Sequence, residues 1–106
     1  MFARSVSIRL RPNSVAAFTQ IVEKEILPVL RKQKGFEDEL TFIVSGGAEA
    51  VATSLWDGKE NADVYSRDGY ASVLKSLAKV IEGTPTVHTY EVANSTFHKI
   101  AAGVAA

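Results

Sequence analysis

The feature that most constrains this chain is the order in which its hydrophobic periodicities follow one another. Val6, Ile8 and Leu10 alternate with Ser5, Ser7, Arg9 and Arg11, the two-residue period of a strand with one apolar face. Pro12-Asn13-Ser14 ends it, and Asn13 or Ser14 is placed to cap a helix whose apolar positions, Val15, Phe18, Val22, Ile26 and Val29, recur at spacings of three and four. Pro28 inside that helix removes a donor and crowds the Lys24 carbonyl, which predicts a kink or a loosened turn. Arg31, Lys32 and Lys34 followed by Gly35 suit a helix end with a left-handed cap. Alternation returns from Phe36 to Ser45, with Phe36, Leu40, Phe42 and Val44 on one parity and Glu37, Glu39, Thr41 and Ile43 on the other. After the Ser45-Gly46-Gly47 turn, a third strand from Ala50 to Asp57 sets Val51, Thr53 and Leu55 against Ala52, Ser54 and Trp56. Asp57-Gly58 breaks this strand, and a short helix through Ala62 and Tyr65 follows. Beyond Asp68-Gly69, Tyr70, Val73, Leu74, Leu77 and Ile81 fall at helical spacing until Gly83-Thr84-Pro85. Thr86 to about Ile100 reads as a long last strand, and residues 101–106 as a flexible tail.

The order is β-α-β-β-α-β, with the second helical segment in two pieces. It predicts an α+β ferredoxin-like fold: a four-stranded antiparallel sheet with helices on one face, in a single domain over residues 1–100. The other sheet face, carrying Val51, Leu55, Ile43 and Phe97, would then be open, which predicts a homodimer with sheets packed face to face. Composition narrows the function classes. The chain has 106 residues, 12 Lys+Arg against 12 Asp+Glu, and no Cys. That excludes disulfides, a thiolate nucleophile and Cys-based metal sites, and makes a cytoplasmic location the default. The charge is polarised: net +5 from Met1 to Lys34, −6 from Gly35 to Asp68, and +1 beyond. Adjacent elements are expected to bring the two signs together, and no nucleic-acid partner is expected at zero net charge. No signal peptide is read at the N-terminus, and no apolar run approaches the ~18 residues of a membrane span.

Three stretches resemble the antibiotic biosynthesis monooxygenase family of dimeric α/β-barrel proteins: Ile8-Arg9-Leu10-Arg11-Pro12, then Ile26-Leu27-Pro28-Val29-Leu30-Arg31 with Lys34-Gly35-Phe36, and Leu55-Trp56-Asp57-Gly58-Lys59-Glu60-Asn61-Ala62. The resemblance spans about residues 4 to 98. It implies a dimeric ferredoxin-like barrel and, as one activity, cofactor-free oxygenation of activated phenolic or anthrone-like rings. Members that oxidise anthrone-type polyketides are similar at Trp56 but carry an Asn four residues before it and a Tyr six after, where this chain has Ala52 and Ala62. Haem-degrading members use an Asn on the first strand and a His on the second helical segment; neither is present here.

The candidate site residues follow from parity and from this resemblance. Trp56 shares a strand face with Ser54 and Ala52, the face that by resemblance looks toward the helices and a pocket; the alternative is a core indole with its N–H satisfied. His88 and Tyr90 share a parity on the last strand, a titratable base beside a phenol, and His88 is the candidate catalytic base. Trp56, Tyr90 and Tyr65 are the candidate substrate-binding side chains for a small aromatic molecule. His98 lacks a carboxylate at ligand spacing, so no metal site and no cofactor are expected. Glu37-Asp38-Glu39 reads as a solvated strand start with Asp38 facing away from the other two, and Arg9 and Arg11 as surface partners of the acidic segment. The functional expectation is a cofactor-independent monooxygenase acting on a small aromatic substrate. The alternative is a non-catalytic small-molecule-binding or interaction dimer on the same fold.

Overall fold

The computed structural model describes residues 1–98; the expected tail at 101–106 and the far end of the domain lie outside the described residues. The elements are β1 (Phe2–Leu10), α1 (Val15–Ile21), a π-helical turn (Val22–Ile26), α2 (Leu27–Arg31), β2 (Phe36–Ile43), β3 (Glu49–Trp56), α3 (Lys59–Asp68), α4 (Tyr70–Leu77) and β4 (Ile81–Glu91). The strands form one antiparallel sheet in the order β2-β3-β1-β4, and the helices pack on one of its faces. This is the ferredoxin-like α+β arrangement that the periodicities predict. Among the described residues no helix is long and apolar enough to cross a membrane.

Local chemistry explains the irregular points. Ser14 occupies the first helix's N-cap, but its hydroxyl donates to the Pro12 carbonyl, and Asn13, at φ +57°, turns the chain. The disturbance expected at Pro28 is a π turn immediately before it. The proline cannot donate to Lys24, so the register widens and the Leu27 N–H donates to the Val22 carbonyl, five residues back. The helix ends at Arg31 with Lys32 still right-handed, and Gly35, at φ +82°, turns the chain into β2 instead of capping the helix. A Cβ at Gly35 would collide with the Asp57 carboxylate and the Asn61 side chain, so glycine is strongly favoured at this position.

Two bulges overturn parts of the parity reading. Phe36 pairs with Trp56 but Asp38 with Leu55, so one extra residue in β2 reverses its alternation. Beyond it Glu39, Thr41 and Ile43 pair with Ser54, Ala52 and Ala50 on the helix-facing side, while Leu40 and Phe42 face outward with Thr53 and Val51. Ile43 is therefore not on the open face. In β4, Gly83, Thr84 and Pro85 form a bulge between the pairs Ser7–Thr86 and Arg9–Glu82. The helix has already ended at Leu77, and Ile81, read above as helical, is the first residue of β4, paired with Leu10. β4 stops at Glu91. The chain then crosses one end of the open face, with the Val92 N–H on the Met1 carbonyl and His98 Nε2 3.6 Å from Asp38 Oδ2. Phe97 lies on this crossing segment, 85% exposed, and not on a strand.

Register places Arg9 between Glu49 and Glu82, but among the described residues neither Arg9 nor Arg11 forms an ion pair with the acidic segment, and Arg11 Nε donates instead to the Ile81 carbonyl at 3.0 Å. The core lies between sheet and helices, with Phe18 and Trp56 fully buried at its centre. The open face keeps Leu40, Phe42 and Tyr90 about half exposed beside Val51 and Leu55.

Candidate functional site

Register decides which side chains meet. On the helix-facing side of the sheet, Glu39, Ser54, Arg4 and Thr89 form one cross-strand row, and Phe36, Trp56, Phe2 and Glu91 the next. Trp56 is fully buried with its indole N–H donated to Ser54 Oγ at 2.8 Å, and the Ser54 hydroxyl in turn points to the Arg4 carbonyl at 3.4 Å. Tyr65, from α3, stacks on Trp56 with centroids 5.1 Å apart, and Tyr70, from α4, meets Tyr65 edge-on at 6.2 Å. Gly69 between the two helices makes this possible, because a Cβ there would sit 2.9 Å from the Tyr65 ring.

Above this row lies a partly open cavity with about 40 Å³ of space that the centre of a water molecule can occupy. Its walls are largely apolar, from β1, the first helical run and α4, and its polar atoms come from Arg4, Glu39, Ser54, Tyr65 and Tyr70. Glu39, Ala52, Tyr70, Leu74 and Pro85 are its less buried lining residues.

The polar groups are unusual for a core. Arg4 is 4% exposed. Its guanidinium carbon lies 4.0 Å from the Tyr70 ring centroid and 5.4 Å from that of Tyr65. Among the described residues no carboxylate forms an ion pair with it. The Tyr70 hydroxyl is buried and finds no hydrogen-bond partner among them. Glu39 is half buried; burial pushes its carboxyl above the ordinary 4.5 and the neighbouring Asp38 adds to this, against the one hydroxyl proton that Thr41 Oγ1 shares between the two carboxylate oxygens. Burial also pushes the Tyr65 phenol up to about 12, with the Arg4 cation opposing the rise.

Of the residues singled out in the sequence, Tyr65 lines this cavity. Trp56 lies behind Tyr65 and Ser54 and holds them in place without reaching the space itself. His88 and Tyr90 are elsewhere: they pair with Ser5 and Ala3, whose side chains lie on the open face, so the sheet separates them from Trp56 and Tyr65. Ala52 lines the cavity and Ala62 is buried. Arg4, Glu39 and Tyr70 were not read as site residues. Arg4 carried a usable signal, since it shares the parity of Val6, Ile8 and Leu10 and so points a charge at the core face. Among the described residues no cluster of three His, Cys, Asp or Glu side chains could hold a metal ion.

No protein-family model and no curated protein matches the chain. Solved structures do. A protein of Bordetella bronchiseptica whose name places it among the antibiotic biosynthesis monooxygenases superimposes with a TM-score of 0.73 at 16% identity, over 86% of this chain and 95% of its own. A monooxygenase from the gene ActVA-Orf6 of Streptomyces coelicolor, in complex with nanaomycin D, gives a TM-score of 0.74 at 15% identity, over 89% and 88%. A protein of unknown function from Nitrosomonas europaea, NE2512, gives 0.73 at 16%, over 96% and 95%. The chain thus shares its fold with proteins named as antibiotic biosynthesis monooxygenases, as the sequence resemblance implied.

Proposed function

We propose that the protein is a cofactor-independent monooxygenase acting on a small, electron-rich aromatic substrate held between sheet and helices. The observation that carries this reading is the cavity itself, an apolar slot lined by a carboxylate and a cation from one cross-strand row and by two phenols from the helices. Substrate pockets are built in this way, mostly apolar with a few convergent polar groups. Glu39, rather than His88, is the base in this scheme, because it lines the slot and its raised basicity suits proton abstraction. The substrate loses a ring C–H proton to Glu39, and the carbanion transfers an electron to dioxygen. The radical pair combines into a C–O bond as a peroxide. Loss of the remaining C–H proton and cleavage of the O–O bond then leave a carbonyl and one water, so CH₂ and O₂ become C=O and H₂O. The protein contributes orientation, the base and exclusion of bulk water. A cavity of about 40 Å³ is well below the ~150 Å³ of a cavity that takes up benzene, so an aromatic ring enters only when lining side chains at the mouth, such as Tyr70, Leu74 and Pro85, swing outward.

The working form in this reading is a homodimer whose open faces pack together through Leu40, Phe42, Val51 and Leu55, with His88 and Tyr90 at the junction. The exposed apolar side chains on that face support it. Oxygen uptake with anthrones, whose ring CH₂ is the reacting group, tests the chemistry. Wild type is expected to consume oxygen, Glu39→Gln to lose at least about a hundredfold in kcat, and His88→Ala to retain it. No uptake by wild type, or equal rates in all three, overturns the assignment. The second reading, a non-catalytic binding dimer, is favoured by Ala52 and Ala62 at the positions where the resembling oxygenases carry Asn and Tyr. An aromatic ligand that co-purifies and survives unchanged in air would support it.

A further inference from the structure

We infer that Arg4 and Tyr70 form an oxyanion subsite that selects aromatic ligands carrying a phenolate or enolate oxygen. This deepens the reading above by naming the substrate class for the same cavity. Two independent observations point to it. Arg4 is a nearly fully buried cation lining the cavity, without an ion pair among the described residues. Tyr70, which also lines it, has a buried hydroxyl without a hydrogen-bond partner among them.

The aromatic contacts do not complete the site. The Tyr70 ring covers one face of the guanidinium at 4.0 Å, and such a contact satisfies the π-facing side only. The five N–H donors of an arginine lie in the guanidinium plane, directed at its rim. An anionic oxygen at that rim takes charge-assisted hydrogen bonds, the strongest available to it, and an unpaired buried donor such as the Tyr70 hydroxyl is satisfied by the same atom. The surrounding walls are aliphatic, from Val6, Val22, Ile26, Val73 and Leu77, which suits the ring that bears the oxygen. Glu39 on the same row explains why a phenolate or enolate is preferred over a permanent acid. A half-buried carboxylate at the mouth repels a ligand that arrives charged, but accepts the proton of one that arrives neutral and ionises inside.

4-Nitrophenol tests this directly, because its visible absorbance reports its ionisation. With wild-type protein in excess, the midpoint of its ionisation is expected to fall by about one pH unit or more, a tenfold or greater preference for the anion. Nitrobenzene, the neutral analogue, is expected to bind at least about tenfold more weakly than the anion. Arg4→Met is expected to abolish the shift, Arg4→Lys to keep part of it, and Tyr70→Phe, which removes only the hydroxyl, to reduce it. Thermal melts confirm that each variant is folded. An unshifted midpoint with wild type, or an equal shift in wild type and a folded Arg4→Met, overturns the subsite. None of these readouts needs turnover. A protein that shifts the probe through Arg4 yet consumes no oxygen refutes the oxygenase and keeps the subsite. Turnover that ignores Arg4→Met does the reverse.

Discussion

Replacing Arg4 with methionine is expected to stabilise the ligand-free protein, the opposite of what most core substitutions do. The magnitude follows from the site. Arg4 is 4% exposed. Taking a cation out of water costs several kcal/mol after relaxation. The Tyr70 ring at 4.0 Å returns about 2 kcal/mol, and the Tyr65 ring at 5.4 Å less than about 1. Because the guanidinium borders a cavity with about 40 Å³ open to water, part of the remaining deficit is met by solvent, leaving about 1–2 kcal/mol. Methionine has a similar reach, no charge and enough flexibility to fill the same space. For a domain near this size, 1 kcal/mol moves Tm by about 4–8 °C, so calorimetry at neutral pH is expected to show a rise of about 5–10 °C. A variant that is more stable and has lost its anion preference would show the exchange of stability for function that binding sites display. A fall in Tm of 5 °C or more, with the fold intact, would mean that the two rings and the cavity already satisfy the cation, and would refute the reasoning that the site is short of an anion.

Three further outcomes are expected. The Glu39 carboxyl is raised in the folded chain, so the folded state holds this proton more tightly than the unfolded one; that stability is full below the ordinary 4.5 and lost as pH rises through the folded value. The Tm of Glu39→Gln relative to wild type is therefore expected to climb between pH 4 and 7, and a flat difference would contradict the assigned burial. Gly35→Ala is expected to cost about 2–3 kcal/mol in urea unfolding, because it combines a left-handed φ with a collision against Asp57 and Asn61. Gly46→Ala, with open space at φ +100°, is expected to cost about 1. Wild type is expected to be a dimer in light scattering, Phe42→Asp on the open sheet face a monomer, and Val64→Asp on α3 to leave the mass as in wild type.

The element order was legible because it is written in hydrophobic period, which survives without tertiary information: Val6-Ile8-Leu10 and Val15-Phe18-Val22 read correctly at once. What was not legible hung on single extra residues. The β2 bulge between Phe36 and Asp38 carries no glycine to announce it, so parity counted from Phe36 sent Ile43 to the wrong face and hid that Glu39 looks inward. Gly83-Thr84-Pro85 has the composition of a helix stop but serves as a bulge, since an edge strand tolerates proline. His88 and Tyr90 do share a face. Which face depends on the β1–β4 register, a long-range pairing that no local pattern specifies. Arg4 was overlooked because a charge at a strand's start reads as solvated, although extending the alternation back one step from Val6 would have placed it in the core. The Asp38–His98 pair, like the step from Ser54 to Arg4, joins residues by fold and not by spacing, whereas Trp56 and Ser54 meet because they are two apart on one strand.

The central claim is that ligands bind between the sheet and the helices, around Arg4, and not on the open face that holds His88 and Tyr90. A two-dimensional NMR titration of isotope-labelled protein with 4-nitrophenol separates the two faces. The shifts are expected to concentrate on the Arg4 side-chain N–H, Ala52, Tyr70 and Val73, with His88 and Tyr90 unmoved. Shifts concentrated on His88, Tyr90 and Ser5, with the Arg4 signals unchanged, would contradict it.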